Sequence, residues 1–245
     1  MIITGGLGEN LPVAGPVLAS IDVEWSKNYR VKNGNVPFCF SIMWFALPAQ
    51  PVKLTEVTWN YTSLYVEVAE ETQDLIRVAN KVFGQVLDTA TVVTGHQLSS
   101  DLATLINAAQ QPVPHLHAMR ELWHGRRAVR ATPLLDTRYD VGHLLTGTSR
   151  RLVDVCTELA LDVTQPELRN TSMTALHRKW LISGNIEARE RITVLNLRHS
   201  LSTALVALLS GKHVTAGEVN VNHLLSQHLT GTYAWLNSPT FTDLL

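Results

Sequence analysis

Short β-branched and aromatic runs dominate the first part of the chain. Residues 17–23 form one that ends in charge, and 36–47 form another after Lys32-Asn33-Gly34-Asn35, whose Asn-Gly centre tolerates the positive φ of a tight turn. These two segments are expected to pair as an antiparallel hairpin. A third strand is predicted over 54–61, after Pro48 and Pro51 interrupt the chain. The period then changes. Over 70–87, Leu75, Val78, Ala79, Val82, Phe83 and Val86 recur at spacings of three and four, which predicts a helix with one apolar face. A buried strand is expected at 89–94, a helix at 101–109 and a strand at 129–135. Beyond these the pattern is helical. A helix at 150–160 opens after Thr148-Ser149, a capping signal, and a long one over 188–209 stops at Gly211. Weaker periodicity suggests helices at 166–181 and 218–229.

Three strands, a helix, a strand, a helix, a strand and then helices imply an α/β chain. A mixed five-stranded sheet flanked by helices satisfies this order, because the first three strands can run as a meander while the later ones need helical crossovers. The strand at 17–23 then lies centrally. With no internal repeat or break in composition, residues 1–210 are read as one domain, and 211–245 as a helical C-terminal extension packed on it.

Composition narrows the class. The 245 residues are 45% hydrophobic and 17% charged, which excludes disorder as the main state. Twenty basic against twenty-one acidic residues give a net charge of −1, so a polyanion would have to be held by a local patch. The longest nearly uncharged apolar run, 38–49, contains Pro48 and is too short to span a bilayer. No membrane helix is expected. Residues 1–26 lack Lys and Arg, and Cys39 and Cys156 are the only cysteines, so a reduced, cytoplasmic setting is expected. Gly5-Gly6-Leu7-Gly8 precedes the first strand, whereas a dinucleotide fingerprint follows one, and so reads as a flexible terminus.

Candidate chemistry begins at Ile21-Asp22-Val23-Glu24. Side chains alternate along a strand, so Asp22 and Glu24 share one face, where two close like charges repel unless a cation or a proton intervenes. A solvated strand end is the plainer explanation of such a pair. A second acid, Asp101, follows Val92-Val93-Thr94-Gly95-His96-Gln97, near the predicted start of a helix that it could simply cap. Taken together, these residues resemble the DEDD superfamily of 3′–5′ exonucleases, with a ribonuclease H-like fold. Asp22-Val23-Glu24 is similar to its first motif, and Gly95-His96-Gln97 through Asp101 to its second. Leu134-Leu135-Asp136-Thr137 and Arg151 through Leu161 resemble the fifth strand and the helix after it.

The resemblance implies a metal-dependent 3′–5′ exonuclease acting on single-stranded or 3′-end nucleic acid. Asp22, Glu24 and Asp101 would be metal ligands, His199 the catalytic base or a further ligand, and Mg²⁺ or Mn²⁺ the cofactor. The third motif departs from the family. If His199 is the base, Ala204 stands where an Asp is expected; in the other register His199 itself takes the Asp position and Leu195 the Tyr position. No acid occurs between Arg191 and Gly217, while Asp136, Asp140 and Asp154 could approach from elsewhere. A site short of one carboxylate should hold Mg²⁺ weakly, whereas an imidazole suits Mn²⁺ better. A non-catalytic nucleic-acid-binding or protein-interaction module is the alternative. Residues 115–130 concentrate four Arg and three His against one acid, with Trp123 available either for stacking or for the core. Arg126 and Arg127 there, with Trp25 and His96 beside the acidic segments, are the expected substrate contacts.

Overall fold

The computed structural model describes residues 1–6, 15–27, 34–126, 134–165 and 171–245. The chain is α/β, built on a mixed sheet of six strands. Its first strand, β1 (Ile2–Gly5), which no pattern predicted, runs up to the glycines read as a flexible terminus and adds an edge to the five expected strands. The central β2 (Val17–Ser26) pairs antiparallel with β3 (Val36–Ala46), as the alternating patterns require, although part of the turn between them lies outside the described residues.

After the short β4 (Val52–Lys53), the third long strand is β5 (Trp59–Tyr65), not 54–61. Residues Leu54–Glu56 form a 3₁₀ turn, with Glu56 accepting from the Lys53 N–H, so the strand begins only after Pro48, Pro51 and this turn have redirected the chain. Helix α1 (Thr72–Thr89) presents the apolar face read from its period, and β6 (Val92–Gly95) then runs parallel to β2. Gly95 is required by close approach: a Cβ there would meet the Leu98 Cβ at 2.6 Å. This tight exit leads into α2 (Leu98–Ala108).

Helix α3 (Pro114–Gly125) replaces the basic connection expected here. Proline sits in its first turn, Trp123 is fully buried, and the stacking role offered to Trp123 is lost to the core. Parallel to β6 lies β7 (Leu134–Asp136), at the end of the strand expected over 129–135, of which 129–133 lie outside the described residues. The sheet order is thus β1-β5-β3-β2-β6-β7, with β2 central as expected.

The C-terminal half adds α4 (Leu152–Glu158), β8 (Leu161–Asp162), α5 (Met173–Ser183), α6 (Ile186–Ser210), β9 (Val214–Thr215), β10 (Val219–Asn220), α7 (Val221–Leu229) and α8 (Pro239–Thr242). These three strands and β4 form two small parallel pairs, β4 with β9 and β8 with β10. Asn185 caps α6 by accepting from the Ala188 N–H. Among the described residues only α6 is long and apolar enough to cross a membrane, and 89% of its apolar window is buried inside the fold. It is the core helix of the second layer. Residues 211–245 fold back over it: Trp235 N–H donates to Glu190 at 2.8 Å, Tyr233 shares a 2.6 Å hydrogen bond with Thr4, and His228 stacks on Trp59 at 4.2 Å.

Alternation along β2 divides the core. Val17, Ala19, Ile21 and Val23 join the cluster under α1, α2 and α3, while Leu18 joins the cluster under α6. The remaining even positions, Ser20, Asp22 and Glu24, are polar, and all three bond to α6. The fold therefore places a polar seam between its central strand and its longest helix.

Near one end of that seam, His177 is stacked on Phe38 with ring centroids 4.1 Å apart, and its Nδ1 lies 2.8 Å from the Tyr65 hydroxyl. Burial pushes this imidazole down to about 4, so it is neutral in the fold. Because the folded value lies below the ordinary 6.5, the stability it supports is present above pH 6.5 and is lost as pH falls toward 4. Denaturant titrations from pH 7 to 4 are expected to show declining stability. His177→Phe, which keeps the stack and cannot be protonated, should remove part of the decline.

Candidate metal centre

Register brings the polar seam to a point. Asp22 pairs across the hairpin with Ser41 and Glu24 with Cys39, and a bulge follows, since Trp25 pairs with Pro37 rather than Phe38. On the facing helix, Asn196 and His199 are three residues apart and so share one side of α6. Asn196 Nδ2 donates to Asp22 Oδ2 at 2.6 Å, and its Oδ1 accepts from the Cys39 thiol at 3.4 Å. His199 Nδ1 lies 3.1 Å from Glu24 Oε1 and 3.6 Å from Asp22 Oδ2.

Serines hold the helix in this register. Ser20 Oγ donates to the Ser200 carbonyl at 2.7 Å, Ser41 Oγ donates to the Asn196 carbonyl at 3.2 Å, and the hydroxyls of Ser41 and Ser200 are 2.7 Å apart. These groups are buried and satisfied, which specifies the helix position more sharply than apolar contact would. One ligand-capable atom from each of Asp22, Glu24 and His199 lies within 4.8 Å of the other two. Two carboxylates and an imidazole at that spacing form a donor set for a divalent cation.

Asp101 is near enough for the charges of Asp22 and Glu24 to act on it, but it stands outside the group gathered within 4.8 Å. It is 4% exposed, and its Oδ2 is buried without a hydrogen-bond partner. Burial first, and then the charges of Asp22, Glu24 and Asp136, hold its carboxyl well above the usual range. It does not cap its helix: Gln97 occupies that position, with φ 70°, and its N–H donates to Asp136 Oδ1. Burial likewise raises Glu24, opposed by its hydrogen bond to His199 and reinforced by the charge of Asp22. For His199, burial acts downward, but hydrogen bonds to Asp22 and Glu24 and their charges outweigh it and raise the imidazole to about 10. At neutral pH the imidazolium lies between the two carboxylates, as the counter-charge the pair requires.

The other sequence candidates lie around this group. His96 Nδ1 is 3.0 Å from Thr137 Oγ1, and burial, with help from the Arg138 charge, pushes the ring down to about 4, leaving it neutral. Trp25 is half-buried and packs against the core of the α1 layer, with its carbonyl accepting from Thr174 Oγ1 at 3.5 Å. Arg126 turns inward: its side chain is 8% exposed, stacks on Trp123 at 4.6 Å, and pairs with Asp140 at 3.4 Å and Asp136 at 3.8 Å. Arg127 lies outside the described residues. Of the acids considered as substitutes, Asp154 bonds to Ser149 and pairs with Arg151, while Asp136 and Asp140 organise the turn after β7.

Asn196 is the residue that sequence reasoning missed. Its signal was an amide in an otherwise apolar stretch of helix, one turn before His199, where a buried polar side chain demands a partner. No protein-family model matches the chain, and no curated protein does.

Two outcomes follow from this geometry. Asn196→Leu keeps the volume but strips Asp22 of a buried donor, and is expected to cost about 1.5–3 kcal/mol, read by denaturant unfolding. Protonated His199 supports the fold fully below pH 6.5, and that support fades as pH rises toward 10. Unfolding free energies of wild type and His199→Leu should therefore converge between pH 7 and 10; parallel curves would disprove the imidazolium bridge.

Proposed function

We propose that this chain is a metal-dependent nuclease of ribonuclease H-like fold, removing nucleotides from nucleic-acid 3′ ends. The observation that carries the reading is the convergence of Asp22, Glu24 and His199, within 4.8 Å, at the end of the central strand, with a buried, unpartnered Asp101 oxygen in the range of their charges. Its support in the fold is the arrangement of five strands: three antiparallel, β5, β3 and β2, followed by β6 and β7 parallel to β2. A cytoplasmic setting fits two free cysteines buried in separate core clusters.

The donor set fits a divalent cation, and the orphaned Asp101 oxygen is the structural sign of it, since a carboxyl buried without a partner is costly unless something pairs with it. A nitrogen donor beside carboxylates favours Mn²⁺ over Mg²⁺. When bound, such an ion would supply charge stabilisation for in-line displacement at phosphorus. The protein groups have separate tasks. Asp22 and Glu24 provide negative charge; Asn196 fixes Asp22 through one oxygen and so sets its orientation. His199 holds a proton on Nδ1 between the carboxylates, which it would have to give up to serve as a cation ligand. Asp101, whose carboxyl burial raises, would add a further carboxylate only beside an added positive charge. His96, neutral and anchored by Thr137, borders the site as a polar group without adding charge.

A second reading, a nucleic-acid-binding or protein-interaction module that retains the fold without cutting, is favoured by one observation. The His199 proton already offsets one of the two carboxylate charges, so the site is partly neutralised without an ion.

Degradation of 3′-labelled single-stranded DNA and RNA decides between them. The nuclease reading expects shortening from the labelled end with Mn²⁺, less with Mg²⁺, and a loss on the order of a hundredfold or more in Asp22→Ala and His199→Ala. Because cation binding displaces a proton, Mn²⁺ affinity should rise with pH from 6 to 9. No cleavage with either ion, together with retained strand binding, would overturn the nuclease reading in favour of the module.

A further inference from the structure

A cavity of about 270 Å³ lies at the carboxyl end of β7, lined by Ser99 at the start of α2, by Trp123, His124 and Arg126 around the end of α3, and by Asp136 and Tyr139. It adjoins the carboxylate cluster, because the Asp136 charge is among those that raise Asp101. Its size falls just below the roughly 300–1,000 Å³ of sites for drug-sized ligands, which suits one planar ring system.

The polar groups of this cavity are of both kinds and are only partly engaged. Asp136 Oδ1 accepts from the Gln97 and Arg138 N–H groups, each at 3.0 Å, while its Oδ2 stands 3.8 Å from Arg126, beyond hydrogen-bond distance. The Arg126 guanidinium is held by the Trp123 carbonyl at 3.1 Å and by Asp140 at 3.4 Å. The Trp123 indole N–H, fully buried on the cavity wall, has no partner. Tyr139 is 51% exposed, and although the Arg138 guanidinium lies 5.7 Å from its ring centroid, the ring is only partly covered.

We propose that this cavity is a nucleobase subsite, in which Tyr139 provides the stacking face and Asp136 and Arg126 meet the base edge as acceptor and donor. A phosphate is the poorer occupant. The Arg126 charge is already balanced by Asp140, and an anion entering here would confront the Asp136 carboxylate. A base is neutral and planar, presents donors beside acceptors, and stacks on an aromatic ring whatever its identity. The choice of a nucleobase over another planar ring with an amide-like edge rests on the nuclease reading above; the cavity and its unfilled polar groups do not.

Saturation-transfer NMR and calorimetry on the full chain, in chelator, with adenosine, guanosine, cytidine and uridine test the assignment, with inorganic phosphate as competitor. At least one nucleoside is expected to bind, and Tyr139→Ala, at an exposed position that leaves the core untouched, to weaken it tenfold or more. Arg126→Gln should act in the same direction, whereas Asp22→Asn should leave nucleoside binding unchanged. Absence of binding for all four at millimolar concentration, binding insensitive to Tyr139→Ala, or displacement by inorganic phosphate would each overturn the subsite. Nucleoside binding without cation-dependent cleavage would sink the nuclease and leave the subsite standing; cleavage with Tyr139→Ala-insensitive binding would do the reverse.

Discussion

Two carboxylates at the end of a central, mostly apolar strand form the constraint around which the structure is arranged. Asp22 and Glu24 sit on the face of β2 that must pack against α6, so their charges cannot all be left to water. Burying like charges together is unfavourable unless hydrogen bonds and an opposite charge accompany them. The helix supplies both. Asn196 donates to Asp22, and His199 reaches both carboxylates with one nitrogen. The serines behind them lock the helix so that neither group can drift from its acid.

This requirement accounts for the character of α6. It is hydrophobic over most of its surface, as a helix clasped between a sheet and a C-terminal layer must be. Yet it carries Asn196, His199 and Ser200 in a patch facing β2 and β3. Ala204, where one register of the resemblance expects a carboxylate, is fully buried in the apolar cluster of the α6 layer, one turn beyond Ser200. The polar patch ends before it. His199, by contrast, stands against the two acids.

On the other side of β2 the same economy of charge is seen at the exit of β7. Asp136 folds the turn by accepting two backbone N–H groups with one oxygen and keeps the second for a side-chain partner. Arg126, from the end of α3, is drawn in toward it and toward Asp140 instead of extending into solvent. Trp123 beneath it belongs to the core, and the exposed aromatic side chain at this end of the sheet is Tyr139, with Arg138 over its ring.

Much of this was legible in residue order alone. The alternation at 17–23, the three- and four-residue period of α1, the tight exit at Gly95 and the long apolar run of α6 determined an α/β chain with β2 central, because each local pattern admits one way of burying its apolar face. Asp22 and Glu24 on one face followed from the two-residue repeat of a strand. What lay beyond that reach depended on partners distant in the chain. The edge strand Ile2–Gly5 is specified by pairing with β5, and the start of β5 by how Pro48, Pro51 and the 3₁₀ turn redirect the backbone. Asn196 and the inward turn of Arg126 could be read only once helix and strand, or helix and turn, were set side by side. The sequence determined which groups carry charge and which faces are apolar; tertiary structure alone decided which charges meet, since electrostatic pairing acts through distance in space and not along the chain.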